Sequence, residues 1–164
     1  MPTEMEIRVL EVLSAIEIPS GTAREIESWG NEAVTVVCEA ALGTYPGLRS
    51  KVRYNAISLL GKMDHPQARE AIPLLINDPE PDVAIRAMRA AGRQNSAEGV
   101  GRLGEILRRE NAPPLLAAEA VKALAAIDSS QARTALEEYT GASPNALPHR
   151  GSPAVQAVLE RVRR

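Results

Sequence analysis

Apolar residues recur at helical spacing in three stretches: Val52, Ala56, Leu59 and Leu60; Val83, Ala87, Ala90 and Ala91; and Leu116, Ala120, Ala123 and Leu124. Gaps of three and four residues put each set on one face of a helix, with polar residues on the other. The spacing predicts helices over 49–61, 80–92 and 113–126. Each is followed by a shorter apolar pattern, Ile72 and Leu75, then Leu103 and Ile106, then Leu136 and Tyr139, which predicts second helices over 68–76, 99–109 and 132–140. The second copy lies 31 residues after the first and the third 33 after the second. A period of this length is the mark of stacked helical hairpins, each too small to bury its apolar face alone.

The segments between these helices carry matching polar signals. Asp64-His65-Pro66-Gln67, Asn95-Ser96-Ala97-Glu98 and Asp128-Ser129-Ser130-Gln131 fall at the same offsets. Each opens with a side-chain oxygen able to cap a helix start and has Gln or Glu three positions on, so capping boxes begun by Asp64, Asn95 and Asp128 are expected. Prolines at 79, 81, 113 and 114 stop one helix and suit the first turn of the next.

The flanks read as caps on the array. Residues 1–43 form a divergent first repeat, with Thr3-x-x-Glu6 and Thr22-x-x-Glu25 as capping-box candidates and a short extra helix near 23–29. Residues 44–140 hold the three clear repeats. Residues 141–152, rich in Gly, Ser, Pro and Asn, read as an exposed loop, and 153–164 as a capping helix. The expected fold is a single all-α domain, a right-handed α-α superhelix of about four to five hairpins including the caps.

Phe is absent and aromatics are 2% of the 164 residues, so the core must be built from Ala, Leu, Ile and Val, whose small side chains let helices approach closely. The formal net charge of −2 argues against general nucleic-acid affinity. Acidic residues outnumber basic ones 13 to 7 over residues 1–82, and basic outnumber acidic 12 to 8 over 83–164. That polarity is either ordinary variation on a solvated surface or a charged end that steers a partner. One cysteine, Cys38, a beginning without a basic-then-apolar leader and no long apolar run make the cytoplasm the expected location.

The order Val52-Arg53, Leu60-Gly61-Lys62, Asp64 to Ala68 and Ile72-Pro73-Leu74-Leu75 closely resembles HEAT repeats, most of all the short subtype first described in phycobilisome lyases. The later copies depart from it, with Ala84 and Ala117 in place of Arg53 and Ala125 in place of the turn glycine. The resemblance implies that the second helix of each hairpin lines the concave side. Carried onto this chain, it makes Arg69, Glu70, Gly101, Arg102, Glu105, Arg108, Arg109, Arg133, Thr134 and Glu137 the candidate partner-binding residues.

No residue set demands catalysis. His65, at a helix start, and His149, in the loop, read as exposed and neutral, and neither joins Cys38 or an acid pair at metal-ligand spacing. Cys38, in an apolar run, reads as an inert buried thiol. Trp29 is either core filler or an interface anchor. Three glycines in one helix, Gly99, Gly101 and Gly104, each cost about 1 kcal/mol relative to Ala. They mark either a close helix contact or frayed start, or a hollow where a partner's backbone approaches. Arg102, Arg108 and Arg109, with Arg86, Arg89 and Arg93 on the preceding helix, are either a solvated face or a positive field suited to a carboxylate-bearing partner.

The expected function is a noncatalytic protein-binding scaffold or adaptor, regulatory or inhibitory in kind, with another protein as partner and no catalytic residue, cofactor, metal or membrane. The alternatives are a nucleic-acid-binding HEAT-like protein and a lyase-associated or chromophore-handling protein.

Overall fold

A computed structural model describes all of residues 1–164 and contains ten α-helices, one 3-10 turn and no strand. In chain order the helices are α1 (Glu4–Leu13), α2 (Thr22–Ser28), α3 (Asn31–Leu42), α4 (Ser50–Leu60), α5 (Pro66–Leu75), α6 (Pro81–Gln94), α7 (Ala97–Arg108), α8 (Pro114–Ala126), α9 (Ser130–Gly141) and α10 (Pro153–Arg163). They form two layers. One runs α1, α4, α6, α8, α10 and the other α3, α5, α7, α9, each helix packing on its neighbours in the row. Four hairpins therefore stack as a HEAT-like solenoid, with α10 as the first helix of a further half unit and α2 as an insertion in the first hairpin.

One contiguous core of 45 buried apolar residues runs from Val9 to Leu159, so no hairpin has a core of its own. The polar contacts report the same stacking. Six side-chain hydrogen-bonded pairs join residues 30 to 34 apart, close to one period, including His65 to Asn31, Asn95 to the Asp128 backbone N–H and Arg109 to Asn77. Asn95 and Asp128 occupy equivalent places in successive units. Asn95 also has φ 54°, the left-handed turn that ends α6.

The caps sit one residue later than expected. His65, Ser96 and Ser129 are the N-caps of α5, α7 and α9; their side chains accept from the N–H of Gln67, Gly99 and Ala132. Asp64 and Asp128 instead pair with Arg69 and Arg133, at 2.9 and 3.4 Å. The capping box at Thr3 and Glu6 forms, but at α2 the cap is Gly21, φ 89°, and the Thr22 hydroxyl turns back to the Pro19 carbonyl.

The linker 141–152 is not a free loop. Its 3-10 turn, Pro148–Gly151, buries His149, which stacks on Tyr139 with ring centroids 5.6 Å apart. His149 Nε2 donates to the Arg109 carbonyl and Nδ1 accepts from the Tyr139 hydroxyl, each at 2.8 Å. A neutral ring with its proton on Nε2 satisfies both bonds. Burial pushes the Tyr139 phenol up to about 12, so it stays a donor. His65 likewise is spoken for, donating from Nε2 to Asn31 while Nδ1 caps α5.

Arg53 shows what the later repeats lack. Its guanidinium donates to the Ala41 carbonyl and pairs with Asp78 at 2.9 Å, tying the C-terminal end of α3 to the second inter-hairpin loop. Ala84 stands at the equivalent place, and a hollow of about 230 Å³ opens there, lined by Asp78, Ala84 and Arg109.

Candidate functional site

Helix α7 presents two polar stripes because residues three and four apart share a face. Glu98, Arg102, Glu105 and Arg109 form the stripe toward α5. Glu98 and Arg102 lie 3.7 Å apart, and Arg109 reaches Asn77 beyond the end of α5. Gly101, Gly104 and Arg108 form the other, facing α9.

Between that second stripe and α9 is a hollow of about 290 Å³, lined by Gly101, Gly104, Arg108, Gln131, Thr134 and Glu138, with Val100, Ser130 and Ala135 completing it. The three glycines have different reasons to be there. A Cβ on Gly99 would fall 3.0 Å from Ser96 Oγ and 3.2 Å from Ala91 Cβ, so this position holds α7 close to α6. A Cβ on Gly104 would meet only the Arg108 guanidinium, at 3.2 Å, the movable end of a long side chain. A Cβ on Gly101 would have nothing within 4 Å. Packing explains the first glycine. At Gly101 the helix carries the cost of glycine, about 1 kcal/mol, with no neighbour requiring it.

The hollow is chemically mixed. Arg108 makes no ion pair, Thr134 and Gln131 both donate and accept, Glu138 accepts, and Val100 and Ala135 supply apolar wall. The set suits an extended segment that presents amides and small side chains.

Of the ten candidate residues, the hollow gathers Gly101, Arg108 and Thr134. The others are dispersed. Arg69 is occupied by the fold, donating to the Gln94 carbonyl at 2.8 Å and pairing with Asp64. Glu70 is exposed on α5, one hairpin away. Arg102, Glu105 and Arg109 lie on the α5-facing stripe, Arg133 is held by Asp128, and Glu137 is exposed on α9 beside Glu138, which lines the hollow. The sequence missed Gln131 and Glu138, although both sit at helical spacing from Thr134 and were reachable by that rule.

The expected merger of six arginines does not occur. Arg86, Arg89 and Arg93 project from α6, in the other layer from α7, so Arg102 and Arg108 do not extend their field. The layers differ in charge. The central first-layer helices α4, α6 and α8 carry six basic and two acidic side chains. The second-layer helices α3, α5, α7 and α9 carry four basic and seven acidic ones.

The remaining candidate groups are structural. Burial pushes the Cys38 thiol up to about 11, helped by Glu39 and Glu70, which leaves it protonated and unreactive. Trp29 is half-buried against the core with the Arg8 guanidinium 3.8 Å above its ring. No group of three or more His, Cys, Asp or Glu side chains is arranged to hold a metal ion, and no helix is long and apolar enough to cross a membrane.

A family model of HEAT repeats matches residues 68–151, just over half of the chain. The chain belongs to the HEAT-repeat family. The matched part of this HEAT-repeat protein runs from α5 to the 3-10 turn and so includes the α7–α9 hollow. No curated protein sequence matches the chain.

Proposed function

We propose that this HEAT-repeat protein is a noncatalytic adaptor that holds another protein on the face formed by its second-layer helices, with the α7–α9 hollow as the point of closest approach. The observation that carries this reading is Gly101, a mid-helix glycine with open space where its side chain would be. HEAT repeats commonly mediate protein–protein contact, and a rigid stack offers an extended surface without ordering cost at the moment of binding. The repeat motif from Val52 to Leu75 supports the short subtype of phycobilisome lyases as the branch of the family, and a protonated, buried Cys38 suits a cytoplasmic location.

The test fills the hollow. Tagged wild-type protein, Gly101→Leu and Arg108→Glu are used to recover partners from the native host, with quantitative mass spectrometry. A set of proteins depleted at least tenfold by both variants, whose melting temperatures stay within a few degrees of wild type, supports the reading. Equal recovery by all three overturns it. Arg102→Ala with Glu105→Ala, on the neighbouring stripe, tells whether the contact extends toward α5.

A further inference from the structure

The first layer carries a second recognition feature, on the opposite side from the hollow just described. Between α6 and α8 lies an open cleft of about 310 Å³ lined by Arg89, Gly92, Arg93, Glu119, Lys122 and Ala123, with Ala126 at its end. Its floor is made of small residues because the helices touch there. A Cβ on Gly92 would fall 3.3 Å from Ala126 Cβ and 3.5 Å from the Ala123 backbone.

Glu119 lies beneath this cleft, 4% exposed, at the repeat position held by Asn55 and Arg86 in the two preceding units. Burial alone would raise its pKa. The fork of Arg89, 2.9 Å from Oε1 and 3.3 Å from Oε2, and Lys122 at 3.4 Å outweigh burial and hold the carboxyl below the usual range. Glu119 is thus a fixed charge that orients Arg89 and Lys122 at the rim. It neutralises one of the three cations. Arg93, one turn beyond Arg89, makes no ion pair, and Lys62, its counterpart 31 residues earlier, is also exposed and unpaired.

We propose that the α6–α8 cleft is a docking site for an acidic segment of a partner protein, one of whose Asp or Glu carboxylates sits between Arg93 and Lys122. Arg93 is exposed and unpaired, Lys122 is exposed with Glu119 at 3.4 Å as its one ion-pair partner, and the floor between them is made of Gly92, Ala123 and Ala126. The cleft takes one carboxylate, and the row from Lys62 through Arg93 to Lys122 takes acidic residues on either side of it. A nucleic-acid backbone is a poorer occupant. The row has no exposed aromatic for stacking, and the chain carries net negative charge with its acids concentrated toward α1–α3, which repels a long polyanion running past the cleft. This site is separate from the second-layer face and does not rest on the function proposed for it.

The probe is a fluorescein-labelled decaglutamate peptide, with a decaserine peptide and a 20-base-pair duplex as comparison arms, titrated at low salt into the full chain. Backbone amide shifts are followed by NMR. The expected result is saturable decaglutamate binding with the largest shifts at Gly92, Arg93, Ala123 and Ala126. Arg93→Glu with Lys122→Glu should weaken it at least tenfold, and Arg102→Glu with Arg108→Glu, in the other layer, should weaken it less than threefold. Arg93, Lys122 and Arg108 are solvent-exposed and Arg102 is half-buried, so unchanged helical circular dichroism of both variants is required to show that the fold is kept. Binding no stronger than decaserine, shifts centred elsewhere, equal losses from the two variants, or tighter binding of the duplex through the same amides would each overturn the proposal.

Discussion

Gly61 and Gly101 are both glycines on helical hairpins of this protein, and they stand for opposite uses of a missing side chain. Gly61 ends α4 in the first layer. A Cβ there would lie 2.8 Å from Ala90 Cβ and 2.9 Å from Ala90 Cα, a collision with backbone as well as side chain. Gly101 is in mid-α7 in the second layer, where a Cβ would meet nothing within 4 Å. The first layer spends its small residues on contact between helices, and its charges stand out as a basic row. The second layer leaves a mid-helix glycine, Gly101, facing solvent, with mixed polar groups around it. A single repeat motif thus yields one layer built by packing and another that keeps a recess.

The contrast predicts different responses to substitution. The largest effect is expected where both layers share the seam. Leu103→Ala removes a fully buried side chain of α7 and should cost about 2–5 kcal/mol in chemical denaturation, whichever layer is judged to matter. Gly61→Ala should cost about 1–3 kcal/mol, because Ala90 cannot yield without shifting α6. A smaller change there would mean that the first layer slides freely and would break the comparison. His149→Phe keeps the stacking on Tyr139 but strips partners from the Tyr139 hydroxyl and the Arg109 carbonyl. The loss should be about 1–3 kcal/mol, read as a lower melting temperature. Gly101→Ala has the opposite sign, a gain of up to about 1 kcal/mol, since the helix profits and nothing is displaced. Destabilisation at Gly101 would remove the distinction between the two glycines.

The smallest expected effect is on acid stability. Glu119 has a lowered folded-state pKa, so its contribution is fully present above the ordinary carboxylate pKa and is lost as pH falls through the lowered value. Stability measured against pH should therefore fall on the acid side, and Glu119→Gln should flatten part of that fall while leaving the neutral-to-alkaline limb unchanged in shape.

The seam was readable in the sequence because stacking repeats the same apolar positions at 31 and 33 residues, and a shared interface tolerates little else. The caps slipped by one residue because each turn offers two adjacent capping side chains, Asp64 and His65, Asn95 and Ser96, Asp128 and Ser129. Only the three-dimensional path assigns the first of each pair to cross-links instead. His149 reads as exposed in the sequence because its partners, Tyr139 and the Arg109 carbonyl, are 10 and 40 residues away and leave no periodic trace. The separation of the arginines of α6 from those of α7 is a matter of hairpin topology. The sequence held it in the alternation of first and second helices, and charge counted by chain halves concealed it. Within the recess, Gly101 was marked by its cost in a helix, whereas Gln131 and Glu138 had no such mark.

Gln94 occupies a place that Met63 and Ile127 hold in neighbouring units. Its amide nitrogen donates to the Leu60 and Ala68 carbonyls at 3.0 and 3.1 Å, and its own main-chain carbonyl accepts from Arg69. Oil-like side chains at this joint would let adjoining units swivel at little cost, since dispersion has no direction. Three directional bonds sharing one residue act as a dowel. Twist between the α4–α5 and α6–α7 pairs would have to break them together, so a torque applied at this joint meets all three at once.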